Sequence, residues 1–128
     1  MKKLLIRQLA VIAFAGLFAQ LALADNHKPT AFREIAAIVA SLNHFPSDAD
    51  KAKLAEIAAD ESIAQDLRTM ASTVANISHA ATADGKAAMA AIQTGNAPDR
   101  GKALAGIIAS LNHMPSDADK ATIAGWME

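Results

Sequence analysis

A fifteen-residue run occurs twice almost unchanged in this chain, and it limits the fold more than any other part of the sequence. Ile38 to Ala52 reads IVASLNHFPSDADKA, and Ile107 to Ala121 reads IIASLNHMPSDADKA. A more divergent copy, TVANISHAATADGKA, runs from Thr73 to Ala87. The copies align His44, His79 and His113, with Lys51, Lys86 and Lys120 behind them, at spacings of 35 and then 34 residues. Repeats of this length are single supersecondary units that bury their apolar faces on one another, and about three copies are needed to do so.

Each copy reads as a helix, a tight turn and a second helix. Ahead of the histidines, Phe32, Ile35, Val39 and Leu42 fall at helical spacing, as do Ile63, Leu67, Met70, Val74 and Ile77. Leu104, Ile107, Ile108 and Leu111 repeat the stripe in the last copy, so three amphipathic helices are expected. Phe45-Pro46 and Met114-Pro115 end them, because proline lacks a donor and drives its predecessor out of the helical region. Ser47 with Asp50, Ser116 with Asp119, and Thr82 in the middle copy are expected to open the next helices as N-caps. These second helices bury Leu54 and Ile57, then Met89 and Ile92, then Ile123 with Trp126 or Met127. Asp60 is expected to cap the long middle helix, Gly95 to end the second unit, and Pro98 to sit in the first turn beyond it.

The resulting fold class is all-α: three helix-turn-helix units of about 30–60, 61–95 and 97–128, six short helices in three hairpins. They form a small bundle or a short α-solenoid.

Residues 1–24 precede this domain and have the order of a cleavable signal peptide. Lys2, Lys3 and Arg7 lead an apolar stretch, and Ala22-Leu23-Ala24 offers the small residues that signal peptidase reads. The apolar stretch is shorter than the roughly 20 residues that span a bilayer comfortably. Cleavage after Ala24 is expected, with no stable membrane insertion afterwards and a periplasmic or secreted mature protein. Removing the signal leaves nine bases against thirteen acids. That acidic balance argues against nucleic acid as a partner. With no cysteine, disulfides, thiolate ligands and thiol catalysis are excluded.

Two sets of residues can ligate a metal. Cleavage after Ala24 would leave a mature start of Asp25-Asn26-His27, followed by a flexible 25–29 segment. Its terminal amine, two amide nitrogens and imidazole can form a square-planar site for copper(II) or nickel(II). His44, His79 and His113 form the second set, for which zinc(II) is the lesser alternative. In a linear stack they would lie in a row about 10 Å apart, too far for one ion bound at about 2 Å. A closed bundle can bring two together. The competing expectation is that each imidazole sits in a last helical turn and meets its carbonyls. Met114 adds a soft sulfur beside the third histidine.

The paired acids Asp48/Asp50 and Asp117/Asp119 suit helix starts better than calcium, which wants six or more oxygens. Ser47, His44 and Asp48 are neighbours, but the serine is committed as a cap. No phosphate loop, H-E-x-x-H or G-x-S-x-G run exists, so no enzyme and no certain cofactor is expected. The leading functional expectation is an exported, non-enzymatic interaction or structural module of the cell envelope, docking a protein partner or a second copy. Trp126 and Met127 would supply an open apolar edge on its last unit. The alternative is a small periplasmic metal-handling protein using Asp25-Asn26-His27 and the repeat histidines.

Overall fold

The computed structural model describes residues 31–128, so the signal-like segment and Asp25-Asn26-His27 lie outside the described residues. The described chain contains six helices and no strand: α1 (31–40), α2 (Asp48–Ala59), α3 (Gln65–Ala75), α4 (Ala83–Gln93), α5 (Asp99–Ser110) and α6 (Asp117–Trp126).

The helix starts follow the expected capping chemistry. Ser47 Oγ accepts from the Asp50 amide at 3.1 Å, Thr82 Oγ1 from Gly85 at 3.0 Å, and Ser116 Oγ from Asp119 at 3.0 Å. Each such cap stabilises its helix by about 1 kcal/mol. Two boundary expectations are corrected. Asp60 turns its carboxylate to the backbone and hydroxyl of Ser62, at 2.9 and 2.6 Å. Helix α3 therefore starts later, at Gln65, after an Ala64 that makes no side-chain cap. Pro98 stands one residue outside α5, at its N-cap.

Helices α1, α3 and α5 supply the deepest part of the core. Ile35, Val39, Met70, Val74, Leu104 and Ile108 are all essentially inaccessible. The other three helices each lay one or two anchors over it: Leu54 and Ile57, Met89 and Ile92, and Ile123.

The pairing of helices differs from the expected hairpins. Helix α2 packs on α3, and α4 on α5, across the connections at 60–64 and 94–98. Helices α3 and α4, on either side of a histidine turn, touch only slightly. The physical reason lies in that turn: its left-handed residue and the extended stretch to the N-cap send the second helix away from the first. Helix α6 returns to α1, where the Trp126 and Phe32 rings stand 5.5 Å apart and tilted by 54°. The first and last helices thus meet, so the helices close on themselves and do not stack in a row. Trp126 and Met127 pack against the core while staying only partly buried.

Gly85 has a packing role that its helix-weakening nature concealed. A Cβ at that position would stand 2.8 Å from Thr73 Cγ2, so only glycine lets α4 approach α3 this closely.

Candidate metal centre

The three histidine turns share one construction. Leu42, Ile77 and Leu111 are buried and pin each turn to the core. Just before them, polar side chains take up the helix-end carbonyls. Ser41 Oγ donates to Ile38 O at 3.2 Å, Asn76 Nδ2 to Ser72 O at 2.9 Å, and Ser110 Oγ to Ile107 O at 3.2 Å. The capping expected of the imidazoles is therefore carried by Ser41, Asn76 and Ser110. A short hydroxyl or amide at the very end of the helix reaches back to a carbonyl about one turn earlier.

The histidines do something else. His44, His79 and His113 have φ of 74°, 72° and 73°, and they are the only described residues other than glycine with positive φ. No described glycine has one. Left-handed backbone costs a residue with a Cβ roughly 1–2 kcal/mol, and glycine would take it freely. Three such positions, all histidine, therefore carry a cost that the turn alone does not require.

Their main chains then join in a ring. The His44 amide donates to His113 O at 2.5 Å, the His79 amide to His44 O at 2.6 Å, and the His113 amide to His79 O at 2.6 Å. Every backbone donor and acceptor in the ring is satisfied by another member. The three turns are locked together at one point of the molecule, whatever their side chains do.

Above this ring the imidazoles converge like three blades. Their centroids lie 4.9–5.1 Å apart with interplanar angles of 79–89°. One ligand nitrogen from each lies within 4.8 Å of the other two. Some point therefore lies within about 2.8 Å of all three, and an inward shift of roughly 0.7 Å per ring reaches the 2.0–2.1 Å of a zinc–imidazole bond. His44 is half-buried, while His79 and His113 are exposed, so solvent has access to the cluster. The row of separated histidines expected of a linear stack is thus corrected: the closed arrangement brings together not two histidines but all three.

Two of the rings meet the amide of the residue before them. Nδ1 of His44 lies 2.7 Å from Asn43 Oδ1, and Nδ1 of His113 lies 2.8 Å from Asn112 Oδ1. An amide oxygen only accepts, so with this amide assignment Nδ1 carries the hydrogen and Nε2 keeps its lone pair. Fixing the tautomer through the other ring nitrogen is how metal-binding imidazoles are commonly held. His79 follows Ser78 and has no such ring bond among the described residues. The asparagines have a signal in the sequence: each directly precedes its histidine in the two well-matched copies.

No carboxylate joins the cluster among the described residues. Asp48 with Asp50, and Asp117 with Asp119, stand in the first turns of α2 and α6, where their charge suits the helix dipole. Around the triad, Phe45 and Met114 are the large apolar side chains left exposed, at 56% and 45%.

No protein-family model matches the chain, and neither a curated protein nor a solved structure matches it significantly.

Proposed function

We propose that this protein handles a transition-metal ion in the cell envelope, held by Nε2 of His44, His79 and His113. The observation that carries this reading is the placing of three histidines in left-handed backbone where glycine costs nothing, with their ligand nitrogens within 4.8 Å. Neutral imidazoles suit zinc(II), copper and nickel(II), and the lack of oxygen ligands disfavours calcium and magnesium. Three ligands leave a fourth position, open toward solvent. The main-chain ring uses backbone groups alone and leaves the imidazoles free to ligate, which suits an ion carried as cargo.

Export is part of the same proposal and rests on the signal-like order of residues 1–24. The mature start Asp25-Asn26-His27 would add a square-planar site for copper(II) or nickel(II) but not zinc(II). The triad and this terminus would then form a non-enzymatic device for taking up and passing on metal. A protein-docking role has its own support in Phe45 and Met114, exposed directly after two of the histidines. A partner or a second copy docking there would cover the open coordination position.

Zinc(II) titration against a competing chelator, followed by native mass spectrometry, tests the triad separately from the terminus. The exported protein and its His27→Ala variant should each hold one zinc. The variant H44G/H79G/H113G should hold none while melting no lower than the wild type, because glycine suits all three backbones. Undiminished zinc binding by the triple variant would sink the proposal.

A further inference from the structure

The inner helices that present the histidines also frame a cavity at their other end. It measures about 420 Å³ and lies among the first turns of α1, α3 and α5 and the last turn of α6. Phe32, Leu67, Met70 and Trp126 give it apolar walls. At the 35- and 34-residue spacing of the histidines, Phe32 and Leu67 share a register with Gly101. Two of these three positions carry a bulky side chain, and the third carries hydrogen.

Nothing in the packing requires that glycine. Gly101 lies within α5 and has no positive φ. A Cβ there would stand 3.6 Å from Ala97 Cβ, 3.7 Å from Pro98 Cδ and 3.9 Å from Met70 Cε, all ordinary contacts. Gly85, where a Cβ would meet Thr73 at 2.8 Å, shows what a sterically required glycine looks like in this fold. Glycine weakens a helix relative to alanine, so Gly101 gives up stability and leaves room.

The charged side chains around the cavity are not balanced. Arg33 and Arg100 line it, both exposed, and neither makes an ion pair among the described residues. Asp66 also lines it but sits in the first turn of α3, where its charge suits the positive end of its own helix. Two guanidinium groups therefore face one carboxylate.

We propose that this cavity binds a small amphipathic monoanion, its carboxylate held by Arg33 and Arg100 and its apolar tail in the space that Gly101 leaves open. The volume falls within the range of roughly 300–1,000 Å³ usual for small-molecule sites. Water finds few partners on such walls, and a guanidinium matches a carboxylate with paired donors.

Trp126 is the one tryptophan of the chain and lines the cavity, so its emission reports occupancy directly. The full exported protein is titrated with octanoate and, separately, with 1-octanol. Octanoate should change the emission saturably, and octanol should bind at least about tenfold more weakly, the scale of a charge-assisted hydrogen bond. The variant R33Q/R100Q should bring octanoate down to the level of octanol. Gly101→Leu should remove the octanoate response, raise the melting temperature and leave zinc binding at the histidines unchanged. The proposal falls if octanoate gives no saturable response, if octanol binds equally well, or if folded Gly101→Leu protein responds like the wild type.

Discussion

The two ends of the inner helices treat the same repeat in opposite ways. At the C-terminal ends of α1, α3 and α5, the aligned position is histidine three times, with nearly identical backbone and a closed ring of main-chain bonds. At the N-terminal ends the aligned position is Phe32, Leu67 and Gly101, and a cavity opens beside the smallest. Helices of 10 to 12 residues separate the two ends, a span of about 15–18 Å. A group that must converge on one point needs the same residue in every copy. A site that holds an elongated, lopsided ligand needs the copies to differ. The contrast teaches where a repeat protein keeps its symmetry and where it spends it.

The largest expected effect comes from the core that both ends share. Leu104 is fully buried between them, so Leu104→Ala should lower stability by about 2–5 kcal/mol in chemical denaturation. Zinc and octanoate binding should weaken together. If only one were lost, the two ends would be less tied to a common scaffold than their shared helices imply.

Next in size are the groups behind the triad. Asn43→Ala and Asn112→Ala should each reduce zinc affinity by about 10–100-fold, the usual scale for losing an orienting partner. Octanoate binding should not move, which chelator competition and Trp126 emission can check on one sample. Ser78→Asn runs the same test in reverse. It gives His79 the neighbour that the other two histidines have and should raise zinc affinity by up to about tenfold. A fall in affinity would mean that His79 must stay free to rotate for the site to form.

The smallest effect sharpens the reading of the opposite end. Gly101→Ala should stabilise the fold by about 1 kcal/mol in a thermal melt, through helix propensity alone. A loss of stability would show that the glycine answers a packing need after all. The single exposed ion pair described, Lys53 to Glu34 at 3.9 Å, is by comparison worth little.

Much of this organisation was legible in the chain itself. The three-four spacing of residues such as Met70, Val74 and Ile77 marks a buried helical stripe, because a helix returns to the same face at that period. Ser47, Thr82 and Ser116 announce helix starts, because a short side-chain oxygen reaches the amide three residues on. Asp60 reads as a cap on the same grounds, but its carboxylate closes a local turn at Ser62 and the helix begins later. The candidate ligands His44, His79 and His113 were also legible as aligned residues.

Their meeting was not. Local patterns are set within a few residues, and the sequence by itself determines the stripes, the caps, the stops and the equivalence of the three turns. Whether equivalent turns lie in a row or converge depends on how α6 packs back on α1 through Trp126 and Phe32, a contact across almost the whole described chain. The left-handed backbone of the histidines likewise has no local signature, because it is held by hydrogen bonds between turns about 35 to 70 residues apart. The cavity beside Gly101 is decided at the same level, since an empty space belongs to no single residue but to the walls that tertiary packing places around it.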